Sequence, residues 1–119
     1  MEKIKIYIVD DDDSIRFLLK ETLEMEKYKV FAFSSGEEAL GAIGKEKEES
    51  LPALLLTDFK MPGMNGEILV GKFKEELPNI PVIIMSGDCE KLKKGNADAF
   101  FSKPFDLPLL MDTIERLIK

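Results

Sequence analysis

The stretch IVDDDDSIR, residues 8–16, sets four carboxylates, Asp10 to Asp13, directly after an apolar run. Two carboxylates about 4 Å apart repel by roughly 1 to 4 kcal/mol between bulk-water and near-surface dielectric. Such a cluster needs a compensating partner, and the candidates are a cation, a helix N-terminus or solvation. Other chemically useful groups close later apolar runs in the same way. Asp58 follows residues 51–57, Ser86 ends residues 81–86, and Lys103 follows residues 99–102. Acids, a hydroxyl and an ammonium, each at the end of an apolar segment, could together bind a cation and a charged substrate.

The elements that must position these groups are legible in the apolar spacing. Ile4, Ile6, Tyr7, Ile8 and Val9 predict a first strand, and Ser14 is read as the cap of a helix carrying Ile15, Leu18, Leu19, Thr22 and Leu23 at helical spacing. Residues 30–33 predict a short second strand. A helix then begins at Ser35, with Ala39, Leu40 and Ile43 on one face, and gives way to the charged run KEKEES at 45–50, a solvated helix end and loop. Residues 51–57 form a near-continuous apolar strand, as expected when both faces of a parallel strand are covered. Gly66 opens a helix with Leu69, Phe73 and Leu77, ended by Pro78. Residues 81–86 and 99–102 predict two more strands, and 107–118 a closing helix with Leu110, Ile114 and Leu117.

Strands alternating with helices, joined by right-handed crossovers, predict an α/β fold: a doubly wound five-stranded parallel sheet with helices on both faces. In such sheets ligands bind outside the carboxyl ends of the strands. Asp10 and Asp11, Asp58, Ser86 and Lys103 all fall at those ends, so they should converge on one crevice. A hard divalent cation such as Mg²⁺ takes oxygen ligands and would offset the repulsion among the acids.

Composition narrows the setting. A chain of 119 residues suits one domain spanning 1–119. Its net charge of −6 argues against a nucleic-acid surface. No apolar run is long enough to cross a bilayer and no leader pattern opens the chain, so a cytoplasmic location without membrane insertion is expected. With no histidine, zinc sites and histidine general-base chemistry of the usual kinds are excluded, and the lone Cys89 cannot close an intramolecular disulfide.

Four strings, VDD at 9–11, TDFKMPGMNG at 57–66, MSG at 85–87 and FFSKPF at 100–105, occur in an order that resembles the receiver domains of two-component response regulators over the whole chain. The resemblance implies a flavodoxin-like strand order 2-1-3-4-5. It further implies that Asp58 accepts a phosphoryl group from a sensor histidine kinase, and that the domain is a signalling phosphoacceptor rather than a turnover enzyme. Asp10 and Asp11 match the acidic pair that holds Mg²⁺, Asp11 more directly and Asp10 through water, and the backbone carbonyl of Lys60 would supply a further ligand. Ser86 and Lys103 match the hydroxyl and lysine positions, the Lys103–Pro104 bond is expected to be cis, and Phe100 falls at the aromatic switch position. Lys60 and Asp88 occupy positions flanking the path of attacking water and are expected to tune phosphorylation lifetime. The domain would relay phosphate to a histidine phosphotransfer protein, change a downstream target protein by direct binding, or serve as a phosphate sink.

The chain also departs from the family. Lys103 follows Ser86 by only 17 positions, so the helix between the last two strands, with Cys89 and Leu92 as anchors, is expected to be short or distorted. Phe100 lacks the hydroxyl of the commoner tyrosine. Asp12 and Asp13 read as solvated or helix-capping acids. Two other functions fit parts of the pattern: DDDDS at 10–14 contains the D-x-D-x-[ST] string of haloacid-dehalogenase-like phosphohydrolases, which would make Asp10 the nucleophile, and a pseudo-receiver would bind partners without phosphorylation.

Overall fold

The computed structural model describes residues 3–45, 51–87 and 97–118. Five strands, β1 (Lys5–Val9), β2 (Lys29–Phe33), β3 (Leu54–Asp58), β4 (Val82–Ser86) and β5 (Ala99–Ser102), form one parallel sheet in the order β2-β1-β3-β4-β5. The helices are α1 (Asp13–Met25), α2 (Gly36–Lys45), α3 (Gly66–Glu76) and α4 (Leu107–Ile118). This is the expected doubly wound α/β sheet with the expected strand order. The shortened helix expected between β4 and β5, with Asp88, Cys89 and Leu92, lies outside the described residues.

The helices cover the two faces in pairs because strand side chains alternate between them. Tyr7, Val9, Leu55, Val82 and Ile84 point to one face, where Ala39 and Ile43 of α2 and Leu69, Val70 and Phe73 of α3 complete a core. Ile6, Ile8, Leu54, Leu56, Ile83 and Met85 point to the other, against Leu19 and Leu23 of α1 and Leu110 and Ile114 of α4. Burial on both faces explains why β3 and β4 are apolar without alternation; all five residues of each are buried.

Two local expectations are corrected. The cap of α1 is Asp12, not Ser14: the Asp12 carboxylate accepts from the N–H groups of Ser14 and Ile15. An acid two residues earlier wins because a full negative charge also complements the helix N-terminus. The third strand runs from Leu54 rather than from residue 51, since the residues just after Pro52 enter the sheet only through the Ala53 N–H bond to Lys5 O.

Helix α1 ends in a Schellman turn, in which Tyr28 N–H reaches Leu23 O and Lys27 N–H reaches Glu24 O. Lys27 takes the left-handed conformation there, with φ 72°. Among the described residues no helix is long and apolar enough to cross a membrane.

Candidate functional site

The sheet delivers the side chains and its hydrogen bonds set their heights. β1 ends at Val9, and Asp10 follows with its N–H still bonded to Phe33 O at 3.1 Å. Asp58 is the last residue of β3, and Phe59 N–H continues the ladder to Met85 O at 2.8 Å. Ser86 closes β4, and Lys103 N–H bonds Ser86 O at 2.8 Å, one residue beyond the end of β5. Asp10, Asp58, Ser86 and Lys103 thus emerge on one side of the molecule, at the carboxyl ends of β1, β3, β4 and β5.

The side chains of Asp10, Asp58 and Lys103 meet. Lys103 Nζ lies 3.0 Å from Asp10 Oδ2 and 3.1 Å from Asp58 Oδ1, bridging two carboxylates. Oxygens of Asp10, Asp11 and Asp58 all lie within 4.8 Å of one another. Asp10 is fully enclosed at 0% exposure, Asp58 is 7% exposed and Ser86 6%, whereas Asp11 faces solvent. The other oxygen of Asp10 accepts from Asp12 N–H at 2.9 Å, so both of its carboxylate atoms are held. The Lys103–Pro104 bond is cis, as expected.

Electrostatics at this edge are unbalanced. Burial, and then the neighbouring Asp10 carboxylate, push the Asp58 carboxyl above its ordinary value; Asp11 adds to this, against the opposing pull of Lys103. Burial alone would lower the Lys103 ammonium, but hydrogen bonds and charge from Asp10 and Asp58 outweigh it and raise the pKa. Three carboxylates against one ammonium leave two negative charges, which a divalent cation would cancel. The donors are all hard oxygens, the set that Mg²⁺ prefers. The residues present therefore fit such an ion, with Asp10, Asp11 and Asp58 as its holders.

The remaining expected residues are placed as follows. Lys60 is exposed two residues beyond Asp58. Phe100 is half-buried on β5, opposite Ile84, and packs on the core shared with α2 and α3. Asp88 lies outside the described residues.

Two residues unassigned in the sequence reading belong to this edge. Arg16 donates from Nη1 to the Asp10 carbonyl at 2.7 Å and pairs through Nη2 with Asp13. Its position six residues past Asp10, in the first turn of α1, was the available signal. Gly66, behind its N-cap Asn65, comes so close to β3 that a Cβ there would lie 2.6 Å from Asp58 O and 2.8 Å from Phe59 Cα. Gly66 N–H also bonds Phe59 O at 2.6 Å, so α3 is tied to the backbone that presents Asp58.

This sheet, with an acid pair after β1, an acid after β3 and a lysine after β5, defines a CheY-like receiver fold. Residues 6–115 match the response regulator receiver domain family, and the chain belongs to it. It is 36% identical to sporulation initiation phosphotransferase F of Bacillus subtilis over 96% of this chain and 93% of that protein. It is 35% identical to the DNA-binding transcriptional regulator NtrC of Proteus hauseri over 99% of this chain, which spans only 25% of that longer relative. Among solved structures, the chemotaxis response regulator CheY4 of Vibrio cholerae superposes with a TM-score of 0.86 at 27% identity, covering 98% of this chain and 99% of that one. Family membership leaves the phosphohydrolase alternative without support, and the enclosure of Asp10 between Asp12 N–H and Lys103 Nζ makes it a poor nucleophile.

Proposed function

We propose that the chain accepts a phosphoryl group on Asp58 from the phosphohistidine of a sensor kinase, in a Mg²⁺-dependent reaction, and passes the signal on by relay or by altered binding. The observation that carries this reading is the Lys103 ammonium bridging Asp10 and Asp58 at 3.0 and 3.1 Å beside the exposed Asp11. One Asp58 oxygen bonds to phosphorus as the phosphorus–nitrogen bond of the donor breaks, and the imidazole leaves with the electron pair. Phosphoryl transfer is chiefly positioning and charge neutralisation, since the transition state spreads charge over the equatorial oxygens. Mg²⁺, when bound by Asp10, Asp11, Asp58 and the Lys60 carbonyl, supplies part of that neutralisation. Lys103 supplies another part as a point charge, and Ser86 donates a hydrogen bond to a phosphoryl oxygen.

Once phosphate sits on Asp58, Lys103 and Ser86 shift toward it and Phe100 turns inward, changing the surface around β4 and β5. Lys60 and Asp88 flank the approach of hydrolytic water and tune the lifetime of the acyl phosphate. The domain works in the cytoplasm as a phosphoacceptor. The end-to-end similarity to a sporulation phosphotransferase favours relay, through a histidine phosphotransfer protein, over direct control of a target protein.

Incubation with acetyl phosphate, followed by intact mass and peptide mapping, tests the reading. A labile adduct that needs Mg²⁺, maps to Asp58 and is absent in Asp58→Asn is expected. No adduct in the wild type would make the chain a pseudo-receiver.

A further inference from the structure

We propose that Arg16 is a positioning residue of the cation site, acting through the main-chain carbonyl of Asp10; this rests on the cation-dependent reading above. Asp10 is held at every polar atom, but by different parts of the fold. Its N–H is bonded to Phe33 O at 3.1 Å, one carboxylate oxygen to Asp12 N–H at 2.9 Å and the other to Lys103 at 3.0 Å. The carbonyl lies beyond the end of β1, so no strand reaches it. Arg16 does, at 2.7 Å, from a half-buried position on α1.

That carbonyl belongs to the peptide joining Asp10 to Asp11. Rotation of this peptide would swing the Asp11 carboxylate, the exposed member of the three acids, away from Asp10 and Asp58. The planar guanidinium suits the task because its two arms leave in fixed directions. One arm holds the peptide and the other holds Asp13 in the first turn of α1, while Asp12 caps the same helix. The acidic loop is thereby clamped to a helix rather than left to mutual repulsion. A lysine could not hold both groups in one plane.

The proposal makes a prediction opposite in sign to simple electrostatics. A guanidinium near the site repels a divalent cation, so if charge were its only influence, Arg16→Met would tighten Mg²⁺. If Arg16 holds the ligand geometry, Arg16→Met loosens Mg²⁺, by about tenfold, as for other groups that orient metal ligands.

The test is Mg²⁺ titration of the intact, unphosphorylated chain by calorimetry, with a circular dichroism melt for each variant. Arg16→Met should bind about tenfold more weakly, and Asp13→Asn, whose amide oxygen can still accept from Nη2 so that both arms stay engaged, should stay within about twofold of wild type. With acetyl phosphate as donor, Arg16→Met should raise the Mg²⁺ concentration for half-maximal rate while the rate at saturating Mg²⁺ stays near wild type. Affinity in Arg16→Met that equals or exceeds wild type overturns the proposal. If Arg16→Met does not fold, Arg16→Lys carries the test: at least about threefold weaker binding supports the clamp and unchanged affinity overturns it. Failure of the wild type to bind Mg²⁺ removes both this inference and the cation-dependent reading, whereas binding by the wild type with an indifferent Arg16→Met removes the inference alone.

Discussion

Replacing Asp58 by Asn should stabilise the cation-free protein, although it removes a salt bridge. At an effective dielectric near 20, the 3.1 Å contact with Lys103 is worth about 5 kcal/mol of attraction, and Asp10, within 4.8 Å, returns at least about 3.5 kcal/mol of repulsion. Asp11 repels as well, and the cost of enclosing a carboxylate that is 7% exposed is added to both. The sum favours the neutral form, in keeping with the raised Asp58 pKa. Lys103 keeps its partner Asp10 in the variant, so no cation is left unpaired. The expected gain is about 1 kcal/mol, or a rise of a few degrees in Tm for a domain of this size. The pH dependence has a definite sign. A carboxyl whose folded pKa is raised is favoured by the fold when protonated, so wild type loses stability as pH rises from the ordinary value of 3.8 through the folded pKa. The advantage of Asp58→Asn is therefore full above the raised folded pKa and disappears below about pH 3.8. Urea unfolding of both proteins at pH 7 and pH 3.5, in the presence of a chelator, measures it, and saturating Mg²⁺ should shrink or reverse the difference. Equal or lower stability of the variant at pH 7, or an advantage unchanged at pH 3.5, would refute the reasoning.

Removing the cation should act in the other direction. Lys103→Met leaves Asp10 at 0% exposure with no ammonium beside it, and breaking a buried pair in this way costs about 3–5 kcal/mol; a loss under 1 kcal/mol in urea unfolding at pH 7 would show that Asp10 is held by other means. Gly66→Ala drives a methyl to 2.6 Å from Asp58 O, a backbone atom that cannot turn aside, so a loss of about 1–3 kcal/mol is expected together with slower labelling by acetyl phosphate. Wild-type values for both would mean that α3 can slide along the sheet.

The fold was legible because each strand carries its own chemical signature. Unbroken apolar runs at β3 and β4 announce burial on both faces, and the polar residues that end them mark the sheet's carboxyl edge. Asp10, Asp11, Asp58 and Lys103 could therefore be grouped before any distance was known. The α1 cap was less legible, because Asp12, Asp13 and Ser14 are all competent caps and only the backbone decides which one folds back. Arg16 was passed over, and Gly66 was read only as a helix start, for a different reason. Each acts on the main chain, one on a carbonyl and the other by having no Cβ, and a search for side-chain chemistry passes over such residues.

The sheet order also separates chemistry from address. β1 and β3 are immediate neighbours, so the short side chains of Asp10 and Asp58 meet across a single strand spacing, about 4.8 Å. β5 is two strands from β3 and three from β1, which is why the cation that serves both acids must stand on a long stem. These separations are properties of a hydrogen-bonded lattice packed on both sides, and the outward surfaces of the helices take no part in them. Helix exteriors away from the carboxyl edge, and the loops at the opposite end of the strands, can consequently be rewritten for new partners while the reacting groups stay at their posts, much as a lock may be re-keyed without recutting its bolt.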